Sequence, residues 1–220
     1  MQVTVIQHAV LADSLARVRN RTAEQPEFSA WVHRATLVLL AAATADLPIR
    51  RTEIETPVTS AEVSVLAEPP VVVPILRAGL GMLDAARLLL PAAHVSFVGL
   101  RRDERTAAAH WYFDGLPASL VGLDVIILEP MIATGGTLTH VLARLGALHP
   151  ARVTVLSLLC APQGVTALQN CAATLATPIR LLCGAVDEGL TAEHFITPGL
   201  GDAGDRMFGQ PAAVMPNPGE

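Results

Sequence analysis

The sequence VIILEPMIATGGT, residues 125–137, places a run of aliphatic residues just before an acid, Glu129, and a loop of small residues. An unbroken aliphatic run is typical of a strand that is buried on both faces of a parallel sheet. Two consecutive glycines permit a tight turn, and apolar residues then recur at helical spacing from Gly136 to Leu148. The stretch therefore predicts a buried strand, a loop and a helix.

Strands and helices alternate in the same way along the rest of the chain. Spacings of three and four indicate helices at 9–19, 27–45 and 164–171 and one ending at Leu90, and apolar runs indicate strands at 71–76, 95–100, 121–128, 153–159 and 179–182. A polar, alternating stretch from Arg50 to Val65 indicates exposed strands or a small flap. This order predicts an α/β fold with a doubly wound, mostly parallel sheet flanked by helices. We expect one domain over residues 1–209 and a tail rich in Pro and Ala over residues 210–220.

Composition excludes several classes of function. Of 220 residues, 51% are hydrophobic and 16% are charged, so the chain has ample material for a core. The formal net charge of −5 argues against binding to nucleic acid or to an anionic membrane, since both require a basic face. All fifteen basic residues are Arg, which excludes a P-loop lysine and a lysine Schiff base.

The cysteines and the N-terminus indicate the compartment. Cys160, Cys171 and Cys183 are odd in number and lack C-x-x-C spacing, so neither a disulfide framework nor a thiolate zinc site is predicted. The N-terminus lacks the pattern of a signal peptide, and no segment has the roughly 18 apolar residues of a membrane span. We expect a cytoplasmic protein that does not contact a membrane.

The loop after the 121–128 strand has the chemistry of a phosphate cradle. Gly135 and Gly136 let backbone amides approach an anion, Thr134 and Thr137 offer hydroxyls, and the helix that begins there adds its positive end. A carboxylate such as Glu129 would repel a phosphate, so we interpret it as a partner for ribose hydroxyls. The alternative is an ordinary turn between strand and helix with a Thr cap.

Two arginine-containing segments follow other predicted strands. Arg77 lies at the carboxyl end of the 71–76 strand, where ligands of such sheets bind, and its guanidinium can hold a second anionic group. The alternative for Arg77 is a surface residue before a glycine-rich turn. The charged run at 101–105 follows the 95–100 strand, and spacing alone favours a solvated loop there.

The segment from Pro198 to Arg206 contains G-x-G-x-x-G near the C-terminus. A dinucleotide fingerprint is excluded because only sixteen residues remain after Gly204, too few for a full βαβ unit. Its glycines and aspartates suit hydrogen bonds to the polar edge of a flat heterocycle, and a plain irregular loop is the alternative.

Taken together, these segments resemble the uracil phosphoribosyltransferases over nearly the whole chain. The matching motifs are QH at 7–8, IETP at 54–57, PILRAGLGM at 74–82, EPMIATGGT at 129–137, GLGDAGDR at 199–206 and FG at 208–209. The resemblance implies a type I phosphoribosyltransferase fold, with a small flap or hood formed by N-terminal and C-terminal segments. It implies that uracil and 5-phosphoribosyl 1-diphosphate (PRPP) give UMP and diphosphate in pyrimidine salvage.

The resemblance also implies a role for each matching residue. Arg77, Arg102 and Asp202 are expected to take part in catalysis. Together with those three, the PRPP-binding residues are Glu129, Pro130, Met131, Ile132, Ala133, Thr134, Gly135, Gly136 and Thr137. The uracil-binding residues are Ile196, Gly201, Asp202 and Ala203. The family further implies Mg²⁺ bound through PRPP without direct protein ligands, GTP as an effector in some members, and a homodimer or larger homo-oligomer.

Some positions depart from the family pattern. Glu129 stands where the family usually has Asp, Arg105 stands where it commonly has an acid, and the segment 107–111 replaces a loop that contains Pro. These departures leave two alternatives open. One is a paralogue with weak or no activity that binds PRPP or a nucleotide as a regulator, and the other is a phosphoribosyltransferase for another base.

Overall fold

The computed structural model describes residues 1–102 and 109–210, apart from the side chains of Arg102 and Ala109. The strands in this part of the chain are β1 (Gln2–Val5), β2 (Ile49–Glu55), β3 (Ser60–Leu66), β4 (Val71–Leu76), β5 (Val98–Arg102), β6 (Ala109–Asp114), β7 (Asp124–Leu128), β8 (Met131–Ile132), β9 (Arg152–Cys160), β10 (Ile179–Val186), β11 (Gly189–Leu190) and β12 (Ile196–Thr197). The helices are α1 (Ala9–Arg19), α2 (Gln25–Thr44), α3 (Leu83–Leu89), α4 (Gly136–Gly146), α5 (Pro162–Ala173) and α6 (Ala203–Phe208), and a 3₁₀ helix covers Ala78–Met82.

The central sheet is mostly parallel, as the alternation of strands and helices predicts. Its strand order is β1-β10-β9-β7-β4-β5-β6, and β8 also pairs with β9. Every pairing in this sheet is parallel except that of β5 with β6. The prediction of a parallel sheet built from crossovers is confirmed.

Two hydrophobic cores lie on opposite faces of the sheet. Ile126 and Leu128 of β7 belong to the core that contains residues of α1, α2, α3 and α6. Val125 and Ile127 of the same strand belong to the core that contains residues of α4 and α5. Because successive side chains of a strand point to opposite faces, both sets must be apolar, which explains the unbroken aliphatic run in the sequence.

The predicted flap is also present. β2 and β3 form an antiparallel two-stranded sheet of their own, with most of their residues exposed or half-exposed. The C-terminal helix α6 lies against the N-terminal helices, where the Gln25 amide donates to the Met207 carbonyl. N-terminal and C-terminal segments therefore lie together, as the predicted hood requires.

Several elements differ from the sequence prediction. β1 and the two-residue strands were not expected, because they are too short to show a clear period, and β6 was not expected either. The helix that ends near Leu90 is divided into the 3₁₀ turn and α3. The predicted tail lies outside the described residues from 211 onward. None of the helices in the described part combines the length and hydropathy that a membrane span requires.

The parallel arrangement brings the ends of separate strands to one edge of the sheet. Arg77 directly follows β4, Arg102 ends β5, and Glu129 directly follows β7. Ligands of open α/β sheets bind at this edge. The topology therefore places the acid and both arginines of the sequence hypothesis on the same side of the molecule.

Candidate active site

The loop between β7 and α4 forms a concave surface at this edge. A cavity there is lined by Glu129 and by residues 131–138. The residue that caps α4 is Gly135 and not a threonine, so the alternative of a Thr cap is wrong. The Thr134 hydroxyl accepts a hydrogen bond from the Gly136 amide across 3.4 Å. The loop and the first turn of the helix therefore surround one small cavity, as a phosphate cradle requires.

The shape of the cradle depends on glycine at position 135. Gly135 has a φ of 79°, in the left-handed region that side chains disfavour. A Cβ at this position would lie 3.0 Å from the Gly164 carbonyl oxygen and 3.1 Å from the Ala167 Cβ. Helix α5 therefore packs directly against the cradle and supports it from behind.

A second cavity adjoins the cradle on the side of the C-terminal loop. Both cavities are lined by Glu129, Met131 and Ala133. The second cavity is completed by Ala78, His194, Phe195, Ile196, Gly201, Asp202, Ala203 and Gly204. All four residues expected to bind the heterocycle therefore lie in one cavity, next to the loop expected to bind the sugar phosphate.

Four lining residues of the second cavity, Ala78, His194, Phe195 and Gly204, were not among the site residues predicted from the sequence. His194 has a φ of 65°, and Phe195 has 49% of its surface exposed. The position of His194 and Phe195 directly before Ile196 was the one available signal. Ala78 carried no signal, because its small apolar side chain has no chemistry of its own.

The C-terminal loop has a defined backbone conformation. Ile196 is buried, and Gly201 has a φ of 81°. The Asp202 carboxylate accepts a hydrogen bond from the Asp205 amide across 2.8 Å and so caps α6. The cap holds the Asp202 carboxylate at the wall of the second cavity.

Glu129 has an unusual electrostatic environment. Desolvation inside the site raises the pKa of its carboxyl from 4.5 to about 8, although a hydrogen bond from the Met131 backbone acts in the opposite direction. The negative charge of Asp202 raises the pKa further. Two carboxyl groups therefore face the same space, where they suit hydroxyl groups or a cation better than a phosphate.

Arg77 joins the end of β4 to the C-terminal helix. Its peptide bond to Leu76 is cis. The guanidinium donates to the Asp205 carboxylate across 2.9 Å, and the Arg77 side chain is 45% exposed. Arg77 is therefore anchored at the edge of the site while much of its side chain faces solvent.

Arg102 lies at the end of the neighbouring strand β5. Its side chain and residues 103–108, which include Arg105, lie outside the described part of the chain. The role of Arg102 therefore stays a prediction.

Comparisons with known proteins agree with this geometry. The family model described as uracil phosphoribosyltransferase matches residues 5–210. Two proteins named uracil phosphoribosyltransferase, from Corynebacterium glutamicum strain R and Corynebacterium efficiens, are each 38% identical over 209 residues, covering 95% of this chain and 97% of theirs. A solved structure of an Aquifex aeolicus protein superposes with a TM-score of 0.89 at 31% identity, covering 97% of this chain and 100% of the other. The chain therefore belongs to the uracil phosphoribosyltransferase family.

Proposed function

We propose that this protein converts uracil and PRPP into UMP and diphosphate, as an enzyme of pyrimidine salvage. The observation that carries the proposal is the shared wall of Glu129, Met131 and Ala133 between the cradle and the second cavity. A sugar phosphate in the cradle would extend its ribose past Glu129 toward a base in the second cavity. Joining a base to a ribose phosphate requires this arrangement.

The cradle supplies the groups that PRPP requires. Backbone amides at the start of α4 would bind the 5-phosphate, assisted by the hydroxyls of Thr134 and Thr137. The Glu129 carboxyl would hydrogen-bond to the ribose hydroxyls. Arg77 and Arg102, which lie at the carboxyl ends of neighbouring strands, would hold the diphosphate by charge-assisted hydrogen bonds.

The second cavity suits a small flat base. Uracil presents both N–H donors and carbonyl acceptors at its edge, and the backbone of residues 201–203 offers both kinds of partner. Ile196 and Ala203 provide buried apolar surface beside it. We propose that backbone groups of this loop select uracil.

The reaction forms the bond between N1 of uracil and C1 of the ribose, breaks the bond between C1 and the diphosphate oxygen, and passes the N1 proton of uracil to the departing diphosphate or to water. Negative charge develops on the leaving diphosphate, and positive charge develops on the ribose ring. Arg77 and Arg102 would stabilise the former, and the Asp202 carboxylate would stabilise the latter. No side chain is required as a nucleophile, so positioning and electrostatics supply the catalysis.

We propose that Mg²⁺ binds through the hydroxyl and diphosphate oxygens of PRPP, where it would neutralise charge on the leaving group. In residues 1–102 and 109–210, no three His, Cys, Asp or Glu side chains come together as a metal cage. Glu129 and Asp202 nonetheless offer hard oxygen atoms beside the place of the ribose. This donor set fits a metal that arrives with its substrate, because Mg²⁺ commonly uses few protein ligands.

Family membership also supports proposals about the setting of the enzyme. We propose a cytoplasmic homodimer or larger homo-oligomer, with GTP as an effector. Light scattering of the purified protein would measure its assembly, and assays with and without GTP would measure activation.

The test of the proposed function is UMP formation by purified protein from uracil, PRPP and Mg²⁺, followed by chromatography with a uracil-free control. We expect UMP and diphosphate in equal amounts. PRPP binding in calorimetry without UMP would favour a regulatory protein, to which the replacement of Asp by Glu129 points. Turnover of a different base in a panel of purines and pyrimidines would favour another acceptor.

A further inference from the structure

An ion pair outside both cavities connects helix α1 to the carboxyl end of strand β10. Arg19 ends α1, and Asp187 directly follows β10. The two terminal nitrogens of the Arg19 guanidinium donate to the two carboxylate oxygens of Asp187 across 2.7 and 2.6 Å. The Asp187 side chain is only 5% exposed. A carboxylate that is buried to this extent requires a partner, because its desolvation is costly.

The same two residues bind both polar backbone groups of Gly199. The Gly199 amide donates to the Asp187 carboxylate across 3.0 Å, and the Gly199 carbonyl accepts from Arg19 across 2.9 Å. Gly199 has a φ of 59°, and a Cβ there would collide with the Ile196 carbonyl oxygen. The ion pair therefore holds a backbone conformation that only glycine adopts readily.

The position of Gly199 relates this ion pair to the second cavity. Gly199 precedes Gly201 and Asp202, which line that cavity, by two and three residues. Asp187 is itself tied to the sheet, since its amide donates to the Cys160 carbonyl at the end of β9 across 2.8 Å. Contacts therefore connect the sheet, through Asp187, to the backbone of the loop that lines the second cavity.

The charges of Arg19 and Asp187 favour a stable ion pair at neutral pH. Burial opposes ionisation of Asp187, but the hydrogen bonds from Arg19 and from the Gly199 amide outweigh it, and the pKa of Asp187 is lowered. The carboxylate is therefore ionised at neutral pH, with three donors around it.

We propose that Arg19 and Asp187 are positioning residues for the loop that contains Gly199, Gly201 and Asp202. They hold this loop at a fixed distance from the sheet and thereby set the affinity for uracil. This inference rests on the proposed function. The two residues do not line either cavity. Their effect on uracil passes through the backbone of Gly199.

The experiment compares Asp187→Ala and Asp187→Asn with the wild-type protein in steady-state assays. We expect Asp187→Ala to raise the KM for uracil about tenfold or more, the effect of losing one or two charge-assisted hydrogen bonds. The KM for uracil should rise by a larger factor than kcat or the affinity for PRPP falls, since the cradle is untouched and Asp202 is the one proposed PRPP-binding residue on the displaced loop. Asp187→Asn should raise this KM less, because an amide oxygen can still accept from Gly199.

Asp124→Ala is the matched control. Asp124 also forms a two-point ion pair with an arginine, Arg152, across 3.2 and 3.0 Å, but it lies at the amino end of β7. The Asp124→Ala substitution should lower the melting temperature without changing the KM for uracil. If Asp187→Ala and Asp124→Ala lower stability alike and both leave this KM unchanged, the inference is wrong.

Two further readouts keep the inference testable. If Asp187→Ala does not fold, Asp187→Asn carries the test, and an unchanged KM for uracil contradicts the inference. Hydrogen exchange of the amides at 199–204 does not depend on turnover and should be faster in Asp187→Asn than in wild type or Asp124→Ala. Absence of UMP from the wild-type protein would refute the proposed function, whereas unchanged exchange would refute the positioning role.

Discussion

The Arg77 guanidinium and the Asp205 carboxylate form a hydrogen-bonded ion pair across 2.9 Å, which joins the carboxyl end of β4 to helix α6. Their side chains are 45% and 31% exposed, so the pair contributes little to folding stability. A diphosphate would therefore replace Asp205 as the partner of Arg77 at a small cost in free energy. The pair would hold the arginine ready in the absence of substrate.

Arg77→Ala is expected to lower kcat/KM for UMP formation by about 100-fold or more, because the proposed charge-assisted contact to the leaving diphosphate would be lost. The melting temperature should change little. Arg34→Ala is the control, since Arg34 pairs with Asp13 on the surface of the helices across 3.0 Å. Wild-type kinetics in Arg77→Ala would contradict the diphosphate assignment.

Gly135→Ala is expected to destabilise the fold by about 1–3 kcal/mol, because it combines a left-handed φ with contact against α5. PRPP affinity should fall as well, since the cradle must shift. The matched control is Gly122→Ala, at a φ of 78° with no atom within 4 Å of the added Cβ. Thermal unfolding and PRPP calorimetry of both variants separate backbone strain from loss of the cradle. Equal PRPP affinity in the two variants would show that the cradle does not need Gly135.

Glu129 makes the folding stability of the ligand-free protein depend on pH. Its folded-state pKa, about 8, lies above the ordinary value of 4.5, so the folded state retains a proton that the unfolded state releases. Folding stability should therefore fall as the pH rises from about 4.5 to about 8, by at most about 1.4 kcal/mol per pH unit.

Glu129→Gln should remove this component, since an amide does not titrate. Urea unfolding of both proteins at pH 6 and pH 9 measures the difference. A wild-type stability that falls no more between these pH values than that of Glu129→Gln would show that the carboxyl is ionised throughout.

Arg206 fastens helix α6 to the N-terminal helices. Its guanidinium donates to the carbonyls of Val18, Asn20 and Leu200 and lies 4.0 Å from the centre of the Phe28 ring. Arg206→Ala should therefore lower the free energy of unfolding by about 2–4 kcal/mol, because carbonyl groups lose charged donors. Urea unfolding against Arg34→Ala, whose partner is exposed, tests this. Similar stabilities for the two variants would argue against Arg206 as a structural anchor.

Much of the fold follows from local patterns. The aliphatic run of β7 predicts a strand covered on both faces, and both cores are observed there. The glycines of the cradle loop predict a turn, and α4 begins at Gly136. β1 escaped prediction because its four residues are too few to show a period.

The candidate site was predictable where residue type carries the chemistry. Glu129, Arg77 and the 201–203 loop all follow from acid, guanidinium and glycine-rich patterns, and the structure brings them to one edge of the sheet. His194 and Phe195 were not predicted, because neither side chain by itself indicates that the residue lines a cavity. Arg206 was recognised as part of a motif, but its contacts with α1 could not be read from that motif.

Local sequence settled which segments are strands, helices and turns, because hydrophobic period and backbone freedom act over a few neighbouring residues. It also predicted which loop is the candidate for binding a phosphate. The packing of distant segments settled the rest. Arg19 and Asp187 are separated by 168 residues, and their pairing exists only once α1 crosses the end of β10. The raised pKa of Glu129 has the same origin, since desolvation is a property of the assembled site and not of the residue.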